Sequence, residues 1–261
     1  MKLYDCFIYN NEDLILDIRF NMLNKYVEKF ILVESKFDHQ GNKKKLNFNI
    51  DKFRDFRNKI EYLVIDEFPN NLNNWERENF QRNYINEGLK NIDKDDYVII
   101  SDVDEIPNLE NLGNLKKYKF TVFKQKNFSF RINLINKSLP NWFGSRVCKK
   151  KHLRSPQWLR DQKVKKYSIL KFFKIKWNIV EDGGWHFSYL MDATGIQNKL
   201  KSFAHAEFNN EFYTNIKKIK KAIDTQQDLF GRDQKYEKIN LDNFFPKYIL
   251  NNKDKFKDWI I

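Results

Sequence analysis

The sequence predicts an α/β fold built on a largely parallel central sheet, and three observations carry that prediction. Short apolar runs at 3–10, 30–33, 60–65 and 97–100 alternate with segments of helical periodicity. The runs at 30–33 and 97–100 contain no polar alternation, as expected of strands buried on both faces. Each run ends on polar residues: Asn10, Glu34-Ser35, Asp66-Glu67 and Asp102-Val103-Asp104.

The first strand, at 3–10, is broken by Asn10-Asn11-Glu12-Asp13. Leu14, Ile15, Ile18, Met22 and Leu23 then recur at helical spacing and predict an amphipathic helix over 13–25. The second strand leads into a loop carrying Asp38, His39, Gly41 and Lys43 to Lys45, and 51–59 is read as helical before the third strand. This β-α-β-α-β order implies right-handed crossovers and a Rossmann-like nucleotide half. Ligands of such sheets lie beyond the carboxyl ends of the strands. Asn10, Glu34, Asp66 and Asp102 are therefore expected to open onto one crevice as donor-binding candidates, where an acid at the end of the second or third strand could accept hydrogen bonds from a ribose or a uracil N–H.

Asn73-x-x-Glu76 has the form of a capping box, and a helix follows whose packed face holds Phe80, Tyr84, Ile85, Gly88 and Ile92. Arg77 falls on that face. A buried arginine needs a partner, so Arg77 is expected to meet a carboxylate of the sheet or a donor phosphate. Arg82 lies nearer the opposite face with Asn79, Asn83 and Asn86, where solvated surface is the ordinary expectation; it is carried with Arg77 as a donor-binding candidate.

The run at 97–100 ends in two aspartates spaced i, i+2, followed by Glu105-Ile106-Pro107. In extended chain, Asp102 and Asp104 point the same way. Paired hard oxygens suit Mg²⁺ or Mn²⁺, ions that usually bridge to substrate phosphates. Beyond Pro107, strand character at 120–130 and 170–177 predicts a mixed, partly antiparallel second half. Glu181-Asp182-Gly183-Gly184-Trp185-His186-Phe187-Ser188 joins a glycine turn to a strand, with Trp185 a flat surface on which a sugar could stack. Residues 215–223 read as a lysine-rich, solvated helix.

The chain has 261 residues, 41% hydrophobic and 16% aromatic, enough for a substantial core. Its net charge is +13, with lysine and asparagine spread throughout. There is no zinc spacing, arginine-rich arm or aromatic RNA-binding segment, so no nucleic-acid partner is expected, although peripheral contact with an anionic membrane fits the charge. Cys6 and Cys148 form neither a metal pattern nor a disulfide framework. No secretory signal is seen, and no run approaches the roughly 20 apolar residues of a membrane span, so a cytoplasmic setting is expected.

Several stretches together resemble glycosyltransferase family 17. They are Tyr4-Asp5-Cys6-Phe7 with Asn10-Asn11-Glu12, Phe30-Ile31-Leu32-Val33-Glu34, His39-Gln40-Gly41, Trp75-Glu76-Arg77-Glu78-Asn79-Phe80-Gln81-Arg82-Asn83, Ile100-Ser101-Asp102-Val103-Asp104-Glu105-Ile106-Pro107, Gly183-Gly184-Trp185-His186-Phe187-Ser188-Tyr189, Ser202-Phe203-Ala204-His205-Ala206-Glu207 and Asp228-Leu229-Phe230-Gly231-Arg232. The resemblance implies a single GT-A domain over 1–261, with a nucleotide-sugar half at 1–115 and an acceptor half at 116–261. It implies a divalent metal, Mn²⁺ or Mg²⁺, held by Asp104 with Asp102. It implies a UDP-sugar donor, a glycan acceptor and inversion at the anomeric carbon. GT-A enzymes often place their base in a Glu-Asp pair, which makes Asp182 the first candidate, with Glu207 second. A histidine of the second half often completes the metal site, and His186 and His205 compete for that role. The competing readings are a metal-dependent nucleotidyltransferase and a basic carbohydrate- or nucleic-acid-binding module.

Overall fold

The computed structural model describes residues 1–113, 115–164 and 175–261. In order, its strands are β1 (Leu3–Ile8), β2 (Lys29–Ser35), β3 (Ile60–Ile65), β4 (Tyr97–Asp102), β5 (Glu105–Pro107), β6 (Phe120–Ser129), β7 (Leu134–Asn136), β8 (Asn141–Lys149), β9 (Trp177–Val180), β10 (Gly184–Ser188) and β11 (Tyr236–Lys238). The helices are α1 (Asp13–Leu23), α2 (Asn74–Asn83), α3 (Ile85–Gly88), α4 (Pro156–Asp161), α5 (Ala193–Ser202), α6 (Glu211–Thr214), α7 (Ile216–Asp224) and α8 (Lys247–Asn251).

The sheet runs β11-β7-β6-β8-β4-β1-β2-β3. β3, β2, β1 and β4 are parallel, as the alternation of apolar runs and helices requires. β8 then pairs antiparallel with β4, and β6 antiparallel with β8. One hydrogen-bonded sheet thus passes from the first half into the mixed second half. β10 lies parallel to β6 and antiparallel to β5, so it sits directly beside the segment that follows β4.

β1, β2 and β4 are buried on both faces because helices cover both, while the edge strand β3 is only partly buried. Phe7, Leu32 and Ile99 pack with Ile15, Leu16, Ile18 and Phe20 of α1. The alternate residues Cys6, Ile31, Val33, Val98 and Ile100 pack with Ile85 and Leu89 on the other side. Cys6 and Cys148 are buried free thiols.

Several boundaries move. The first strand stops at Ile8, and α1 stops at Leu23. Residues Ile50–Lys59 form a tight 3₁₀ turn series kinked at Phe53 rather than a regular helix. The capping box forms, with Glu76 N donating to Asn73 Oδ1 at 3.0 Å and Asn73 N to Glu76 Oε2 at 2.8 Å. The helix it starts breaks at Tyr84 into α2 and α3 and does not reach Ile92. Of the strand expected at 170–177, residues 170–174 lie outside the described residues and Trp177 begins β9. No helix of the described residues is long and apolar enough to cross a membrane.

Candidate active site

The parallel strands follow the order 3-2-1-4, and the carboxyl ends of β1 and β4 frame a cleft of about 310 Å³. Ile8, Tyr9 and Asn10 at the end of β1, Asp102 to Asp104 at the end of β4, and His186 and Ser188 of β10 line it. This is the switch point where open α/β sheets bind ligands. Asn10 and Asp102 open onto it as expected.

Glu34 and Asp66 do not. Glu34 is fully buried and accepts from Lys44 Nζ at 2.6 Å, Asn47 N at 2.8 Å, Phe48 N at 3.1 Å and Tyr62 Oη at 2.8 Å. Its oxygens are consumed in fixing the segment after β2, and no face is left for a donor. Asp66 is exposed and pairs with Lys36 at 2.5 Å. It ends a strand at the sheet edge, away from the switch point.

The two arginines of α2 exchange roles. Arg77 donates to His39 O at 3.2 Å and Asn74 Oδ1 at 3.3 Å, so it clamps the loop after β2 instead of meeting a carboxylate. Arg82 is buried, not solvated, and pairs with Glu78 at 2.7 Å and Asp102 Oδ1 at 3.0 Å. The fully buried residues of α2 are Gln81 and Arg82, while Phe80 of the expected apolar stripe is only partly buried.

Asp102 is held from both sides. Arg160 of α4 reaches its Oδ2 at 2.8 Å. Burial works against the Asp102 charge, but Arg160 and Arg82 outweigh it and keep the carboxyl well below the ordinary range. Arg160 also forks onto Glu105, with contacts of 2.7 and 2.8 Å, and Glu105 takes a further bond from Trp142 Nε1 at 2.7 Å. Beneath this layer, Asp5 and Arg19 form a solvent-free ion pair at 2.6 Å.

Asp104 is different. No hydrogen bond to its carboxylate is made among the described residues. His186 Nε2 stands 3.7 Å from Oδ1, and Lys199 Nζ 3.6 Å from Oδ2. Burial pushes the Asp104 carboxyl up, against the pull of Lys199 and His186. β10 delivers His186 here because His186 pairs in register with Glu105. Its other nitrogen, Nδ1, lies 3.0 Å from Asn127 Oδ1, and its ring stacks on Trp142 with centroids 4.8 Å apart. The imidazole beside Asp104 is thus His186. His205 lies on the same cleft, against the exposed Trp75, with Nδ1 2.7 Å from Glu207 Oε1.

Asp182 is not brought to the cleft. It is exposed, adopts φ of 46° in the turn between β9 and β10, and is not among the residues that line the cleft. Trp185 is buried and donates to Phe244 O at 3.1 Å, so it offers no sugar platform; Trp142 and Trp75 are the exposed tryptophans of the cleft.

Sequence reading missed Arg19, Glu12, Trp142, Arg160 and Lys199. Arg19 was detectable, since it lies one turn from Ile15 on the buried stripe of its helix. Arg160 was not, since only tertiary folding carries it across 58 positions to Asp102.

Residues 1–258 match the family profile described as Glycosyltransferase family 17. A relative from Rattus norvegicus named beta-1,4-mannosyl-glycoprotein 4-beta-N-acetylglucosaminyltransferase is 25% identical over 287 residues, covering 95% of this chain and 52% of the relative. The relative of the same name from Homo sapiens is 26% identical over 286 residues, with 95% and 52% covered. The chain spans about half the length of the curated relatives it matches. With a family profile running through every strand and helix that builds the cleft, the chain belongs to glycosyltransferase family 17.

Proposed function

We propose that this chain is a metal-dependent, inverting glycosyltransferase of the GT-A kind, transferring N-acetylglucosamine from a UDP-sugar to a glycan acceptor. The observation that carries the reading is the Asp104–His186 pair, which faces a switch-point cleft in a member of family 17. The donor sugar and acceptor class are taken over from the relatives' names.

The pair suits Mn²⁺ or Mg²⁺. A buried carboxylate that takes no hydrogen bond among the described residues stands beside an imidazole, an oxygen and nitrogen set that such ions accept. Among the described residues no cluster of three or more His, Cys, Asp or Glu side chains is placed to hold a metal. Diphosphate oxygens and water would therefore fill the remaining positions, as is usual for these ions. The metal, when bound, supplies neutralisation of the charge that grows on the leaving UDP.

The protein residues do the rest. Arg82 and Arg160 fix Asp102, which holds the turn so that Asp104 faces the cleft. Asn127 orients His186. Trp142 and Trp75 offer flat faces to sugar rings. The acceptor proton falls to His205, whose Nδ1 is held by Glu207 and whose Nε2, without a hydrogen bond among the described residues, accepts it as the acceptor oxygen attacks the anomeric carbon. Glu207 thus acts through His205, and Asp182 takes no part.

The test is a thermal-shift screen of UDP-sugars with and without Mn²⁺, followed by analysis of the anomeric configuration of the product. Stabilisation by a UDP-sugar only with the metal, and an inverted product, are expected. Pyrophosphate release from a nucleoside triphosphate would favour the nucleotidyltransferase reading and end this one.

A further inference from the structure

Lys199 lines the cleft and has no part in the transfer step proposed for it. The apolar side chains of its helix, Ile196 and Leu200, are buried against α7, and its neighbour Lys201 is exposed. Lys199 instead turns into the cleft, and its side chain is only 22% exposed. Its ammonium stands 3.4 Å from Glu12 Oε1 and 3.6 Å from Asp104 Oδ2. Glu12 is itself fixed, since its Oε2 accepts from Asn10 N and Asn11 N at 3.0 Å each.

An ammonium between two carboxylates is balanced while Asp104 carries no metal. A divalent ion on Asp104 would place a second positive charge beside it, and at these distances the two cations repel. Lysine has a flexible four-carbon stem and a compact point charge, so it can leave one anion for another nearby. The anion that arrives with the metal is the donor diphosphate.

We propose that Lys199 is a donor-phosphate ligand that shares Asp104 with the metal: it pairs with Asp104 before loading and turns to the diphosphate once the metal is in place. This rests on the cleft being a UDP-sugar site. It has a thermodynamic consequence. Lys199 opposes the metal alone and favours metal and nucleotide together, so it couples their binding.

The experiment measures Mn²⁺ binding alone by electron paramagnetic resonance, and UDP binding with saturating Mn²⁺ by calorimetry. Both are done on the parent protein, Lys199→Met and Lys199→Arg, with melting temperature as the check of folding. Lys199→Met is expected to bind Mn²⁺ alone about threefold or more tightly and UDP about tenfold or more weakly, within the ordinary range of coupling between sites. Lys199→Arg, which keeps the charge, is expected to restore UDP affinity to within a few-fold of the parent. Unchanged constants in a folded Lys199→Met protein, or weaker Mn²⁺ binding in it, would overturn the assignment. If the parent protein itself binds neither Mn²⁺ nor UDP, the functional reading falls and the role of Lys199 with it.

Discussion

Arg19 grips Asp5 with two bonds, of 2.7 and 2.6 Å, inside a protein interior that admits no solvent to either side chain. Its third nitrogen, Nη1, donates to the carbonyls of Asp102, Val103 and Glu105 at 3.2, 3.1 and 2.8 Å. One helix residue therefore ties the first strand to the turn that presents Asp104. A buried ion pair adds little stability for its own sake, but removing one partner strands the other. Arg19→Met should destabilise by about 3–5 kcal/mol in denaturant unfolding, and Arg19→Lys should also be harmful because the planar fork is lost. A loss below about 1 kcal/mol for Arg19→Met would contradict this account.

Asp102 and Asp104, two residues apart, should respond oppositely to pH and substitution. The Asp102 pKa is lowered in the fold, so its ion pairs contribute stability above the ordinary value of 3.8 that is lost as pH falls. The Asp104 pKa is raised, so its ionised form costs stability at neutral pH, a cost that disappears in acid. Asp102→Asn should therefore lower the melting temperature most at neutral pH. Asp104→Asn should leave it unchanged or raise it, while abolishing Mn²⁺-dependent UDP binding and transfer. Melting curves from pH 7 towards about pH 3 check both signs.

His205 and Glu207 should share one kinetic phenotype that Asp182 lacks. Glu207 is held below its ordinary range by the hydrogen bond to His205, as a partner that steadies an imidazole would be. His205→Ala should keep UDP-sugar affinity and lose transfer by about 10²-fold or more, and Glu207→Gln should follow in the same direction. Asp182→Asn should stay within a few-fold of the parent. Steady-state kinetics with separate donor-binding measurements decide it; a collapse in Asp182→Asn with His205→Ala unaffected would restore Asp182 as the base.

Gly184 tests the strand pairing that delivers His186. It has φ of 122°, and an added Cβ would lie 2.2 Å from Ile106 O and 2.6 Å from Asn108 N. Both are backbone atoms and cannot swing aside. Gly184→Ala should cost more than about 1 kcal/mol through its backbone conformation alone, with the clash added, and should uncouple His186 from Asp104. Denaturant unfolding and Mn²⁺ binding measure the two effects.

The parallel strands, the acid pair at the end of β4 and the capping box that starts α2 were all legible in the order of the amino acids. Each depends on neighbours a few residues apart, so spacing alone carries the signal. His186 was also visible, as a strand residue after a glycine turn, but not that it, rather than His205, would stand beside Asp104. That placement came from the register of β10 on β5, a pairing between segments about 80 residues apart in the chain. The tertiary structure alone decided that Glu34 is spent on its own loop and that Arg82, not Arg77, reaches Asp102. It also decided that Arg160 reaches Asp102, that Lys199 enters the cleft and that Asp182 stays out. Local periodicity states which face of a strand or helix is apolar. It carries no information on which distant charge that face will meet, because the partners of a buried carboxylate are chosen by the packing of the whole fold.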